Sequence, residues 1–166
     1  MNEIMNIFIL DENITRCAQY HCDKHVVKMI TEYNQLMSTA CFLNGIHMEG
    51  MYRPTHKNHP CVKWIMESRE NFKYLLRLNK ALLEEYTYRY NRIHAGHRLI
   101  PLFEDILKIY PNGTGCKTDH VVCVNRDHLL NSDPISEYRN FYNRDKARFC
   151  TWKNRPVPYW FNPISS

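Results

Sequence analysis

The chain has 166 residues, 44% of them hydrophobic and 23% charged, which excludes intrinsic disorder and predicts one globular domain over residues 1–166. The formal net charge is +5, a basic balance found both in nucleic-acid-binding proteins and on ordinary protein surfaces. No apolar run approaches the roughly 20 residues that span a bilayer, and no signal peptide is expected. Seven scattered cysteines without a CxxC motif therefore predict free thiols in a reducing cytoplasm.

The first part of the chain predicts an extended lead-in followed by a long helix. Residues 5–10 form an apolar run, and residues 11–15 supply turn and helix-capping residues. From about residue 14 to residue 43, apolar side chains recur at helical spacing, and Asn44-Gly45 is typical of a helix C-terminus. The side chains expected to face the core are Cys22, Val26, Met29, Ile30, Tyr33, Leu36, Met37 and Ala40.

The rest of the chain predicts further helices, so the expected fold class is all-α. Arg69 and Asn79 fall on the apolar stripe of the second long helix, where a polar side chain needs a partner or an open cleft. The predicted elements are a loop over 48–60, a helix over about 61–93, a break at Ala95-Gly96, a helix over about 101–109, an irregular stretch over 111–132, a helix from Asp133-Pro134 to about 149, and a proline-rich aromatic tail that packs as an extended strap.

A polar stripe on the first long helix is the main candidate for chemistry. At 100° per residue the stripe lies beside the core face, whereas Asp23 points toward the opposite edge of that face. Imidazoles, amines and a carboxylate on one edge supply an acid, a base and a nucleophile. The alternative is an exposed helix face with ordinary i,i+4 ion pairs. The stripe residues are His21, His25, Lys28, Glu32 and Gln35, with Lys24 at the border.

Three further groups are candidates for contact with a substrate or with DNA. Residues 56–59 precede a helix N-terminus, which favours an anion, although an ordinary capped loop is the alternative. Glu85 and Arg89 form an i,i+4 pair that is expected to be a surface pair of small energetic value. Residues 139–155 carry six basic residues and one acidic residue with aromatics between them, which suits phosphate contact and base stacking, or a solvated helix face. The candidate binding residues are His21, His56, Lys57, Asn58, His59, Arg69, Glu85, Arg89, Arg148, Trp152 and Lys153.

Metal and cofactor sites have little support in the sequence. No P-loop, GxGxxG or GxSxG motif occurs, so neither a nucleoside triphosphate site nor a cofactor is expected. Cys116, His120, Cys123 and His128 lie close together in sequence, but their spacing matches no standard zinc motif. We therefore expect no metal, with a small zinc knuckle in this stretch as the alternative.

Five short segments carry a resemblance to a known group of proteins. They are Met-Asn-Ile-Phe-Ile-Leu-Asp (5–11), Cys-Asp-Lys-His-Val-Val-Lys-Met (22–29), Lys-Asn-His-Pro-Cys (57–61), Glu-Tyr-Thr-Tyr-Arg-Tyr (85–90) and Thr-Trp-Lys (151–153). Over about residues 5–160, the chain resembles a group of phage-encoded proteins. That group is distantly similar to the pyrimidine-dimer DNA glycosylases of the phage endonuclease V type.

The resemblance implies an all-α DNA glycosylase that extrudes a damaged or modified nucleotide from duplex DNA, in the host cytoplasm if the protein is phage-encoded. In that family the N-terminal amine attacks C1′ to form a Schiff base, and a glutamate on the first helix assists. Here Asn2 is expected to block removal of Met1, and no glutamate lies between Asp23 and Met29. The candidate catalytic residues are therefore Lys24 or Lys28 as the amine, Asp23 or Glu32 as the carboxylate, and His25 for proton transfer.

Three other functions are compatible with the same residues. The first is a non-catalytic module that binds nucleic acid or a host protein. The second is a metal-dependent nuclease or phosphoesterase that uses histidine pairs. The third is an enzyme that acts on a free nucleotide or nucleoside, because a small-molecule pocket would use the same groups.

Overall fold

Six α-helices and a C-terminal strap make up the computed structural model, which describes residues 5–124, 129–130 and 132–163. The helices are α1 (Ile14–Tyr20), α2 (Asp23–Leu43), α3 (Pro60–Glu67), α4 (Arg69–Tyr90), α5 (Ile100–Leu107) and α6 (Pro134–Phe141). A 3-10 helix (Ala95–Leu99) leads into α5, and a π turn (Tyr142–Lys146) and a 3-10 turn (Ala147–Phe149) continue α6. Within the described residues no β-strand occurs and no helix is long and apolar enough to cross a bilayer, so the predicted all-α class is confirmed.

The single helix predicted over residues 14–43 is in fact two helices. His21 and Cys22 adopt extended conformations, with ψ angles of 128° and 164°, between α1 and α2. The Cys22 N–H donates to the Tyr142 hydroxyl and the Asp23 N–H donates to the Thr151 carbonyl, so donors at the start of α2 find partners outside the helix. Because the break resets the helical phase, the stripe that extended back to His21 is wrong.

The helix predicted over residues 61–93 is also interrupted. Ser68 has extended backbone angles between α3 and α4, and its hydroxyl accepts the Asn71 N–H as the N-cap of α4. Arg69 donates from Nε to the Tyr110 carbonyl at 2.9 Å. Asn79 donates to the Asn34 side chain at 2.9 Å. Both polar residues on the apolar stripe therefore donate to partners, although the Asn79 Oδ1 atom is buried without a hydrogen bond.

Most other helix ends agree with the prediction within a few residues. Asn44 is the C-cap of α2, and Gly45 follows with a φ angle of 74°, a conformation that glycine adopts without strain. Asp133 caps α6 by accepting the Ser136 N–H, with Pro134 in the first turn. These ends were predictable because capping depends on residues that are close in sequence.

The core forms where the lead-in and α2–α4 meet. Residues 5–10 are buried and form neither helix nor strand, and the Phe8 ring stacks on the His25 ring at 4.4 Å. Helix α4 packs against both α1 and α2. All eight residues that were predicted to face the core from the first helix are buried.

Gly96 sets how closely the 3-10 helix approaches α2, and its replacement is expected to destabilise the fold. A Cβ atom on Gly96 would lie 2.7 Å from Ile30 Cγ2 and 2.9 Å from Asn34 Nδ2. We expect Gly96→Ala to lower the free energy of unfolding by about 1–3 kcal/mol in urea denaturation followed by circular dichroism. The exposed neighbour Ala95 supplies the control, since Ala95→Ser should stay within about 0.5 kcal/mol. An unchanged Gly96→Ala would mean that the 3-10 helix can move away from α2 at little cost.

Candidate functional site

A fully buried guanidinium joins the start of α2 to the end of α4. The Arg89 side chain is 0% exposed, and its Nε donates to Glu85 Oε2 at 2.8 Å. Its Nη1 donates to Asp23 Oδ1 at 3.0 Å, and its Nη2 donates to the Gln19 carbonyl at 2.8 Å. The predicted surface pair of Glu85 and Arg89 is therefore wrong, because both side chains lie in the interior and are unavailable to DNA.

The C-terminal strap completes this ion network. Arg155 binds Glu85 in a bidentate manner, with both N–O distances at 3.0 Å, and these bonds raise the pKa of Arg155. The Arg155 guanidinium also lies 3.9 Å from the centre of the Tyr88 ring. With Asp23 and Arg89, the network contains two cations and two carboxylates, so its buried charges compensate one another.

Asp23 is held at the first position of α2 by three residues, one from α4 and two from the strap. Its Oδ1 accepts from Arg89, its Oδ2 accepts the Thr151 hydroxyl at 2.7 Å, and both oxygens accept the Lys153 N–H at 2.9 and 3.1 Å. The Asp23 carboxylate therefore uses its acceptor positions to hold the strap and Arg89 against α2. Asp23 is consequently poorly placed to accept a proton from a substrate.

His21 is a buried, neutral imidazole between α1 and α2. Its Nδ1 lies 2.8 Å from the Cys17 carbonyl, which can only accept, so Nδ1 carries the proton. Its Nε2 then accepts the Tyr33 hydroxyl at 2.8 Å. Burial lowers the pKa of His21 from 6.5 to about 3. The predicted contact of His21 with substrate or DNA is therefore wrong.

His25, one turn later, also hydrogen-bonds through its ring to a buried tyrosine hydroxyl. Its Nδ1 lies 2.6 Å from the Tyr142 hydroxyl, which also accepts the Cys22 N–H at 3.3 Å. The Cys22 thiol hydrogen-bonds with Cys150 and with His25, and these bonds lower the pKa of Cys22 although burial opposes them. Only 5% of His25 is exposed, so the ring lies almost wholly in the interior, and its role in proton transfer stays a prediction.

The outward side of α2 carries the remaining candidates for catalysis. Lys24 is exposed, and its Nζ lies 4.4 Å above the Phe149 ring. Lys28 and Glu32 form an i,i+4 ion pair at 3.6 Å, with 39% and 20% of their side chains exposed. Because these residues are spaced by four along one helix, they form a row that faces solvent. This row of Lys24, Lys28 and Glu32 is the part of the predicted stripe that faces solvent in the structure.

The loop before α3 carries the second predicted cluster. His59 is the N-cap of α3, and its Nδ1 accepts the Cys61 N–H at 3.0 Å. His56, Lys57 and Asn58 are exposed, and Lys57 Nζ lies 5.0 Å from the Phe42 ring. The structure therefore places three residues of the cluster in solvent and uses the fourth to cap the helix.

The loop considered as an alternative zinc knuckle places its described cysteines and histidine against different neighbours. Cys116 is exposed, and the His120 ring packs 4.9 Å from Trp64 and 4.7 Å from Tyr74. Cys123 instead lies beside Cys61, with 4.0 Å between the two sulfur atoms. The fourth candidate ligand, His128, lies outside the described residues.

The basic C-terminal segment is divided between the interior and the surface. Arg139 donates to the Leu10 carbonyl and to Asp11, and Trp152 is buried with its indole N–H on the Tyr20 carbonyl. The predicted stacking of Trp152 on DNA is therefore wrong, because the ring fixes the strap to α1.

Part of the segment nevertheless forms a basic cluster with α2. Lys146 Nζ lies 5.5 Å from the centre of the Phe149 ring, on which Lys24 also packs. Arg148, beside Phe149 in the chain, is exposed, as is Lys153. We name Lys24, Lys146 and Arg148 the basic cluster. Its charge and aromatic centre suit a phosphate backbone.

The residues that position the site were largely absent from the sequence prediction. Tyr33 and Tyr142 hold the two buried histidines, Thr151 holds Asp23, and Arg155 holds Glu85. Tyr142 is 117 residues from His25, and Arg155 is 70 residues from Glu85. Spacing along the chain contains no signal for such contacts.

Removal of the buried Arg89 charge is expected to be strongly destabilising. Arg89→Met leaves Glu85 and Asp23 without their shared cation, and we expect the free energy of unfolding to fall by about 3–5 kcal/mol in urea denaturation. Lys80→Ala is the control, because it removes a cation from the exposed Lys80–Glu104 pair and should cost less than about 1 kcal/mol. Equal effects of the two substitutions would contradict the central role of Arg89.

His21 is expected to make stability fall on acidification. Between pH 6.5 and about 3 the unfolded chain protonates this histidine while the folded chain does not, so the free energy of unfolding decreases as pH falls through that range. In His21→Gln, the slope of that free energy between about pH 5 and pH 6 should be shallower by up to about 1.4 kcal/mol per pH unit. The exposed His47 supplies the control His47→Gln. Parallel curves for wild type and His21→Gln would refute the assignment.

Comparison with known proteins places this arrangement in a family. The model of the family described as pyrimidine dimer DNA glycosylase matches residues 5–97, which is more than half of the chain. No curated protein and no solved structure matches. The match includes the lead-in, α1–α4, the Arg89 network residues on α2 and α4, and the Lys24–Lys28–Glu32 row. The chain therefore belongs to the pyrimidine dimer DNA glycosylase family.

Proposed function

We propose that the protein is a DNA glycosylase that removes a damaged or modified base, with Lys28 as the amine nucleophile and Glu32 as its proton acceptor. The observation that carries this assignment is the Lys28–Glu32 ion pair, 3.6 Å apart, which places an amine and a carboxylate side by side on α2. Both side chains are partly exposed on α2, within the residues that match the family. Asp23, the other candidate carboxylate, is committed to the strap.

The proposed reaction uses one amine and one carboxylate. Glu32 takes a proton from Lys28, and the free amine pair then attacks C1′ of the extruded nucleotide while the C1′–N bond to the base breaks. The bonding electrons leave with the base, which takes up a proton from water. The proton on the attacking nitrogen then passes through water to O4′, and the C1′–O4′ bond opens, which leaves a hydroxyl at C4′ and an iminium between Lys28 and the sugar.

In this proposal the basic cluster binds the DNA strand. Lys24 lies four residues before Lys28, about 6 Å along the helix axis, so a strand held at the cluster passes next to the amine. Lys146 and Arg148 add charge from the C-terminal segment. Affinity from such contacts is electrostatic and should weaken steeply with salt.

Borohydride trapping on ultraviolet-irradiated duplex DNA tests the amine assignment. Hydride reduces the iminium to a stable secondary amine, so wild type should give a covalent protein–DNA adduct, and peptide mapping should place it on Lys28. Lys28→Ala should abolish the adduct, and Glu32→Gln should slow its formation about 10²–10⁴-fold. Lys24→Ala should weaken DNA binding but retain the adduct at saturating protein.

The matched control is the exposed Lys108–Asp105 pair at the C-terminal end of α5, with Lys108→Ala expected to behave as wild type. An adduct that persists undiminished in Lys28→Ala and is lost in Lys24→Ala would move the nucleophile to Lys24. An adduct that persists in both variants would overturn the lysine mechanism. No adduct or base release in wild type, with salt-sensitive DNA binding retained, would favour a binding module instead.

A further inference from the structure

Two thiols and an imidazole meet where the start of α3 touches the loop that follows α5. Cys61 Sγ and Cys123 Sγ are 4.0 Å apart, and a ring nitrogen of His59 completes a group whose three ligand atoms all lie within 4.8 Å of one another. Cys61 is buried, whereas His59 and Cys123 are half-buried. Among the described residues, no other set of three histidine, cysteine or acidic side chains is this close.

The separation of the two sulfur atoms fits a tetrahedral metal ion. Zinc binds cysteine at about 2.3 Å, which at tetrahedral angles places two sulfurs about 3.8 Å apart. Two thiolates and a neutral imidazole around a divalent cation have no net charge, so the loaded group leaves no uncompensated charge in the interior.

Neighbouring residues hold the backbone of Cys123 in place. The Asn6 side chain donates to the Cys123 carbonyl at 2.9 Å and accepts the Cys123 N–H at 3.1 Å. The Tyr138 hydroxyl in turn donates to Asn6 Oδ1 at 3.0 Å. Such fixed supporting contacts are typical of metal sites, where they orient the coordinating side chains.

The ring of His59 is held next to Cys61. Its Nδ1 accepts the Cys61 N–H at 3.0 Å, as the N-cap of α3. A metal ion bound to Nδ1 would use the same lone pair in place of this N–H.

We infer that His59, Cys61 and Cys123 bind a thiophilic divalent cation such as Zn²⁺, with the fourth coordination position occupied by water or another ligand. The ion would link the loop that contains Cys123 to the start of α3 and to the lead-in. This site is separate from the Lys28–Glu32 pair, and its existence does not depend on glycosylase activity.

Titration of the reduced, untagged protein with Co²⁺ tests the inference. Thiolate coordination gives a sulfur-to-cobalt charge-transfer absorption, which should saturate at one Co²⁺ per chain and disappear when Zn²⁺ is added. Cys61→Ser and Cys123→Ser should each remove the absorption. His59→Asn keeps a residue that caps a helix well but removes the imidazole, and should weaken Co²⁺ binding at least about tenfold.

A second thiol pair supplies the matched control. Cys22 and Cys150 also hydrogen-bond to each other beside a histidine, yet Cys150→Ser should leave the Co²⁺ titration unchanged. Zn²⁺ at about a hundred times its Kd should raise the melting temperature of wild type by roughly 5–10 °C, and that of folded Cys123→Ser by much less. Absence of the charge-transfer absorption in wild type, or its persistence in both Cys61→Ser and Cys123→Ser, would overturn the site.

Discussion

The burial of the Arg89 guanidinium is the constraint on which the arrangement of the other elements depends. Withdrawal of a cation from water costs several kcal/mol unless acceptors surround it, and Arg89 obtains its acceptors from Gln19, Asp23 and Glu85. In a continuous helix the Gln19 carbonyl would accept the Asp23 N–H. The break at His21–Cys22 frees that carbonyl for Arg89, and the Asp23 N–H bonds the Thr151 carbonyl instead. The helix is therefore interrupted at the point where the buried cation needs an acceptor.

The same break decides which polar residues of the segment are available for chemistry. It turns His21 and His25 inward, where Tyr33 and Tyr142 satisfy them. Asp23 is committed to Arg89 and to the strap. The row that begins at Lys24 is left on the outer surface of α2. The buried Arg89 network and this solvent-facing row therefore both result from the break at His21–Cys22.

Features that depend on neighbouring residues could be predicted from the sequence, and features that depend on distant contacts could not. Apolar periodicity identified the core face of α2, and Asp133-Pro134 identified the start of α6. The break at His21–Cys22 contains neither glycine nor proline, so no local signal marks it. Its cause is the requirement of Arg89, a residue 66 positions beyond Asp23.

The candidate sites show the same difference between features set by neighbouring residues and features set by distant contacts. The Lys28–Glu32 pair was predictable because an i,i+4 spacing is a local property of a helix. Cys123 was grouped in the sequence with Cys116 and His120, its neighbours along the chain. The fold instead pairs it with Cys61, 62 residues earlier, because Asn6 holds the backbone of Cys123 against the lead-in.

The C-terminal segment is as much a part of the candidate site as the residues that match the family. The match ends at residue 97, yet Thr151, Lys153 and Arg155 supply donors to the carboxylates of α2 and α4. Without these donors Asp23 and Glu85 would share Arg89 alone, and the start of α2 would lose its fixed position. The basic cluster also draws Lys24 from one part of the chain and Lys146 and Arg148 from the other. The basic cluster and the support of α2 therefore both need residues from beyond position 97, so the two parts of the chain act as one unit at this site.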